Sequence, residues 1–195
     1  MMRILSFFLT VLLLSSCKAD EEFSRWPCRF SYDNSLHIDA TLATATDVNS
    51  PGVFCRISEN VQAGVKYLVF QNSHNSTTRQ QETEEEKRAE FVLGLNNGII
   101  VGFQNAVLDE FARAQFVGYD VQCPNCVRDE NNTLNPTYDI QLADNGIGTC
   151  RKCGRRYDLN NGGLLLNGKE GDKGMEKYVA ATTGPYGHVS VFRKR

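Results

Sequence analysis

Four of the seven cysteines stand in two Cys-x-x-Cys pairs, Cys123-Pro124-Asn125-Cys126 and Cys150-Arg151-Lys152-Cys153, the second followed by Gly154. A Cys-x-x-Cys turn directs both sulfurs at one point, and its backbone N–H groups can hydrogen-bond the thiolates. Two such turns supply four soft ligands in a tetrahedron, a donor set suited to zinc or iron. The 23 residues between the pairs lie just beyond the usual zinc-ribbon spacing. Disulfides are the alternative in an oxidising compartment, although a bridge within one pair closes too small a loop to stabilise much. A redox-active dithiol is a third option, but neither pair is expected to open a helix after a buried strand. The pattern predicts that Cys123, Cys126, Cys150 and Cys153 share one metal site. Zinc is the first choice; iron or a [2Fe-2S] cluster is the alternative.

Of the other cysteines, Cys28 and Cys55 each precede an arginine in strand-like sequence. Two spare cysteines in an exported chain are expected to pair, whereas buried free thiols are the other common fate. His37, His74 and His188 are isolated from one another and from both pairs. No Gly-x-Ser-x-Gly, His-Glu-x-x-His or phosphate-binding loop occurs, so the sequence offers no catalytic residues and a hydrolase is not expected.

The elements that must position the pairs read as short strands and turns. Strands are expected from Cys28 to Tyr32, Val53 to Ile57, Val65 to Phe70, Phe116 to Val121, Tyr178 to Ala181 and His188 to Phe192. Asn49-Ser50-Pro51-Gly52 and Asn160-Asn161-Gly162-Gly163 read as turns. Asn96-Asn97-Gly98 between Phe91–Leu95 and Ile99–Phe103 is a hairpin signal. Gln71 to Arg88 is almost free of apolar residues and reads as a long polar loop, with one helical turn where Glu84 meets Arg88. Val107 to Arg113 reads as a short helical turn or loop. The regular spacing of strands and turns, with 16 Gly and only 5 Pro, favours a mostly β barrel or sandwich.

The N-terminus carries a different signal. Ile4 to Leu14 is an apolar run broken only by Ser6 and Thr10, with Arg3 before it. That length suits a signal-peptide core and is too short to span a hydrocarbon layer of roughly 30 Å. Leu14-Ser15-Ser16-Cys17 resembles the lipobox of bacterial lipoproteins, in which the cysteine is acylated. This implies a signal peptide over residues 1–16, lipidation at Cys17, a tether over 17–26 and one domain over 27–195. Membrane attachment through the lipid follows, in the outer membrane or at the cell surface of a Gram-negative bacterium. Lys18-Ala19-Asp20-Glu21-Glu22 is similar to the surface-export signal of some such lipoproteins, and equally suits a solvated tether. The net charge is −2, with basic clusters only at the last three residues and at Arg151, Lys152, Arg155 and Arg156. Nucleic acid is therefore not an expected partner.

The C-terminal half resembles the Rieske ferredoxin family. The residues that carry the likeness are Gly118-Tyr119-Asp120-Val121-Gln122-Cys123-Pro124, the run from Cys150 to Gly162, and Gly98 to Phe103 upstream. The closing segments Gly163 to Asn167, Met175 to Ala180 and His188 to Phe192 fit as well. The resemblance implies a Rieske-like β-barrel with a zinc-ribbon-like metal-loop subdomain at about 117–160. A Rieske centre uses two cysteines and two histidines. Here Cys126 and Cys153 stand in the histidine positions, and the insert near Arg128 to Tyr138 is long. The chain is thus expected to be a binding or assembly module of the cell envelope, with an envelope protein as partner and a redox-silent structural zinc. The alternative is an electron carrier with iron or an iron–sulfur centre.

Overall fold

The computed structural model describes residues 23–108 and 114–194. The expected signal peptide, Cys17 and the start of the tether fall outside them, as does the end of the Val107–Arg113 segment.

Among the described residues, twelve strands form two antiparallel sheets. The large sheet contains β1 (Arg29–Asp33), β2 (Phe54–Gln62), β3 (Val65–Asn72), β4 (Thr77–Gln81), β5 (Ile99–Leu108), β6 (Ala114–Asp120), β11 (Lys177–Thr182) and β12 (His188–Phe192). Its order is β1-β12-β11-β6-β5-β2-β3-β4. The small sheet has the order β10-β9-β8-β7, with β7 Ile140–Leu142, β8 Ile147–Cys150, β9 Arg156–Asp158 and β10 Leu164–Leu165. The described residues also form three short α-helices: α1 (Ala40–Ala45), α2 (Glu84–Ala89) and α3 (Pro124–Asp129).

The large sheet curls into a half-barrel. Tyr32 on β1 and Phe70 on β3 stand near opposite ends of the strand order, yet their rings meet at 5.3 Å. The alternation of side chains along each strand gives this sheet two buried faces. Cys55 and Ile57 of β2 and Ile99 and Val101 of β5 point into the concave core, with Phe30, Leu68, Phe70, Val189 and Val191. Leu42 and Ala45 of α1 close that core. Asp39 caps the helix by accepting from the Leu42 N–H at 2.9 Å. The interleaved residues Phe54 and Ile100 point the other way and join Tyr119, Val121, Ile140, Tyr157 and Leu159 beneath the small sheet. Each fully buried side chain of this size contributes on the order of 2 kcal/mol. Cys123, Cys126 and Cys150 belong to this second core, and Cys153 lies at its exposed edge.

Four expectations are corrected. Phe91–Leu95 forms no hairpin with β5. Val92 pairs instead with Arg29, and the Phe91 ring packs on Phe30 at 5.1 Å. The polar stretch after Gln71 is not a loop: β3 continues to Asn72, and Thr77–Gln81 is an edge strand, which leaves one edge in water and needs few apolar residues. Glu84–Ala89 then forms a helix behind a capping box of Thr83 and Glu86, with Glu84 paired to Lys87 at 2.6 Å rather than to Arg88. The first cysteine pair does open a helix, since Cys123 is the N-cap residue of α3 after β6. Finally, Cys28 and Cys55 are free buried thiols, not a disulfide. Cys28 precedes β1 and Cys55 lies on β2, strands separated in the sheet by β12, β11, β6 and β5. Their sulfurs donate to the carbonyls of Val191 and Arg56.

Candidate metal centre

The two cysteine pairs sit on corresponding turns. Cys123 leads into α3, and the Val127 N–H donates back to the Cys123 carbonyl at 3.1 Å. Cys150 ends β8, and the Gly154 N–H donates back to the Cys150 carbonyl at 2.9 Å. Each pair is therefore closed by the same bond, from the residue after its second cysteine back to its first cysteine. Gly154 turns the chain with φ +71°, a conformation that side chains with a Cβ resist, and its neighbour Arg155 starts the return into β9. The Cys123 N–H donates to the Tyr138 carbonyl at 2.9 Å, which ties the first turn to the approach of β7. Ile140 on β7 faces Cys150 on β8, so the first turn, delivered by β6 of the large sheet, is held beside the second, which ends β8 of the small sheet.

The four sulfurs all lie within 4.8 Å of one another. Cys123 and Cys153 are 3.8 Å apart, as are Cys126 and Cys150. A tetrahedral ion with metal–sulfur bonds near 2.3 Å requires sulfur–sulfur edges of roughly 3.8 Å. The group can hold one metal ion, and its dimensions suit a single ion. Cys123, Cys126 and Cys150 are buried, whereas Cys153 is exposed.

Donors surround the sulfurs. Tyr157, on β9 and fully buried, places its hydroxyl 3.0 Å from Cys123 Sγ. Asn125 Nδ2 donates to that hydroxyl oxygen at 3.0 Å, leaving the phenolic proton for the sulfur. The Lys173 backbone holds Asn125 in turn, accepting from Nδ2 and donating to Oδ1. The Cys150 thiol is pushed down to about 5, because the Cys123 side chain donates to it and the Cys153 and Lys152 N–H groups point at it. Cys123 moves in the opposite direction through the same contact with Cys150 and through burial. Cys126 is pushed up to about 12, chiefly by burial.

A set of ion pairs braces the two turns from outside. Asp172, almost wholly buried at 2% side-chain exposure, accepts from Arg155 Nε at 2.8 Å and from Arg128 Nη2 at 2.8 Å. Arg155 follows the second pair and Arg128 lies in α3, so one carboxylate joins both turns. The Arg155 guanidinium also reaches Cys153 and Asp129. Lys152 pairs with Glu130 and lies 5.0 Å over the Tyr138 ring.

No protein-family model, curated protein or solved structure matches this chain.

The structure brings all four sequence-predicted ligands together and leaves the histidines away from them. His37 pairs with Glu86, and His188 with Ser31. Cys28 and Cys55 lie in the concave core, and Cys17 lies outside the described residues. Tyr157, Asn125, Arg155 and Asp172 belong to the site but were not singled out from sequence as its members. Arg155 and Tyr157 follow the second pair directly, and that proximity was the available signal. Asp172 stands among Gly168, Gly171 and Gly174 with nothing local to mark it. Among the described residues no helix is long and apolar enough to cross a membrane.

Proposed function

We propose that the four cysteines bind one zinc ion as a structural clasp, in a membrane-anchored module for binding or assembly in the cell envelope. The observation that carries the metal reading is the convergence of four sulfurs within 4.8 Å, with two edges at 3.8 Å. Four thiolates saturate a zinc ion and leave it no position for water or substrate. Binding then becomes folding free energy, because the two turns have no other short-range covalent tie. The donors around the sulfurs support the same reading. A tetrathiolate zinc carries two net negative charges, and Tyr157, Arg155 and the backbone N–H groups are placed to balance them. Removing the ion with a strong chelator is expected to lower the melting temperature and speed amide exchange in residues 123–127 and 150–155. Unchanged melting and exchange would count against a structural metal.

The anchoring half of the proposal rests on Leu14-Ser15-Ser16-Cys17 and the apolar run before it. Cys17→Ser should abolish incorporation of a labelled fatty acid, and equal labelling of the variant would refute it. The Rieske-like reading rests on the sequence runs Gly98–Phe103, Gly118–Pro124 and Cys150–Gly162.

A second reading is favoured by the exposure of Cys153. A single iron on the same thiolates would lie one bond from solvent, as an electron-transfer site needs. Such a protein would be coloured and would bleach on reduction, and Cys153→Ser would lose electron transfer, whereas the zinc form is colourless.

A further inference from the structure

Among the described residues, the buried side-chain oxygens and nitrogens without a hydrogen-bond partner belong to Tyr32, Glu59, Thr78 and Glu82. They gather in one place. Glu59 stands opposite Leu68 and Thr78 opposite Phe70 in the sheet register. Directly opposed residues share a face, and Leu68 and Phe70 point into the concave core. The Tyr32 ring meets Phe70 from the other side. Glu82 follows β4 at the same rim and is only 3% exposed.

Glu59 and Glu82 flank Lys66 on this same face: Glu59 Oε2 lies 3.4 Å from Lys66 Nζ, and the Glu82 N–H donates to the Lys66 carbonyl at 3.1 Å, which brings the two carboxyl groups side by side. Two ionised carboxylates have no donor between them, and one oxygen of each, Oε1, is buried and otherwise without a partner. Leaving both charged in such a place costs far more than protonating one. We propose that Glu59 and Glu82 share one proton, and that this acid pair is a pH-operated latch holding the rim segment 82–90 onto the half-barrel.

The charged groups around the pair decide where the proton resides. From β3, Lys66 Nζ lies 3.4 Å from Glu59 Oε2 and pairs with that carboxyl group. From α2, Glu86 adds negative charge near Glu82, although His37 engages its carboxylate at 3.0 Å. The proton therefore resides on Glu82. Burial, then the Glu59 charge, push the Glu82 carboxyl up to about 7. A metal cation is a poor substitute, since only two carboxylates converge and an ammonium already sits beside one of them.

The segment that the latch holds has few other ties. Helix α2 buries no residue. The Glu82 N–H donates to the Lys66 carbonyl, Glu86 pairs with His37, and Arg29 donates to the Glu90 carbonyl at 2.8 Å. A carboxyl whose folded-state pKa is raised stabilises the fold while protonated. Its contribution is complete below the unfolded value and is lost as pH rises through the folded value. The latch closes in acid and opens in mild alkali, opposite to an ordinary ion-paired carboxylate.

The test is hydrogen exchange and infrared spectroscopy on the purified protein between about pH 5 and about pH 8.5, a window that brackets the raised carboxyl. A protonated-carboxyl band should be present at the acid end and vanish at the alkaline end. Over the same range the intrinsic-rate-corrected exchange of residues 82–90 should quicken several-fold relative to the β5–β6 core. Glu82→Gln keeps a donor facing Glu59, and should remove both the band change and the pH dependence of exchange. Lys87→Gln, which removes only the exposed pair to Glu84, should keep both. The proposal is overturned if the wild-type band is absent at the acid end, or if Glu82→Gln retains the wild-type pH dependence. It is equally overturned if calcium or magnesium replaces the proton in protecting the segment. The buried Asp120 carboxyl is also raised, to about 6, so the band is assigned to Glu82 by its loss near 7; that wild-type titration together with the matching pH dependence of exchange in residues 82–90 decides the matter even if Glu82→Gln does not fold.

Discussion

The Tyr157 hydroxyl lies 3.0 Å from Cys123 Sγ and takes its own hydrogen bond from Asn125 Nδ2. The chain of donors runs from a backbone-anchored amide through a phenol to a sulfur. It therefore favours Cys123 as an acceptor, the form in which it can ligate a metal. Hydrogen bonds to ligating atoms fix their orientation and tune their charge.

Tyr157→Phe removes the donor and keeps the ring in the core. Metal affinity should fall about tenfold, and stability of the loaded protein by about 1 kcal/mol. Competition with a chromogenic chelator measures the first and thermal melting the second. An unchanged affinity would mean that the hydroxyl serves only Asn125.

Asp172 should act on the same site from outside. Asp172→Asn weakens the pairs to Arg155 and Arg128, which belong to opposite turns. The expected outcome is faster metal loss, with little change in the melting of the metal-free protein. Arg155→Lys should reproduce part of it, because an ammonium cannot bind the carboxylate with two parallel bonds. Stopped-flow transfer of the metal to a chelator gives the rate.

Asp120 anchors the strand that delivers Cys123. Its carboxylate accepts from the N–H groups of Leu95 and Gln122 and from the Tyr178 hydroxyl, each at 2.7 Å. Asp120→Ala leaves three buried donors without an acceptor, at a cost of roughly 3 kcal/mol or more. Urea denaturation should show this loss with or without metal, which separates Asp120 from Tyr157 and Asp172.

Metal affinity should rise with pH. The Cys150 thiol is shifted downward, because Cys123 and two backbone N–H groups stabilise its charged form. Cys123 and Cys126 are shifted upward and must lose protons to bind. Lowering the pH from about 8 to about 6 should therefore weaken binding steeply, with more than one proton released per ion. Calorimetry in buffers of different ionisation enthalpy counts these protons. Release of none would contradict the thiolate assignment.

What the sequence made legible was local. Each Cys-x-x-Cys turn encodes its own geometry, and apolar runs such as Val65–Phe70 and His188–Phe192 mark strands by composition. Thr83 and Glu86 spell out a capping box, and that signal was present in the segment read as a loop. The edge strand Thr77–Gln81 was hidden because its polar side chains satisfy an exposed edge. Asn97 and Gly98 do make a turn, with Asn97 at φ +49°, but Phe91 prefers the ring of Phe30 to a place beside β5. Asp172 lies far along the chain from both turns that it joins, and only the folded arrangement brings it to them.

The most direct test of the central claim is metal content and absorbance of protein purified without air, together with a thiol count. One zinc per chain, no visible absorbance and no disulfide among Cys123, Cys126, Cys150 and Cys153 is the predicted result. A metal-free protein with those four cysteines oxidised to disulfides would contradict it.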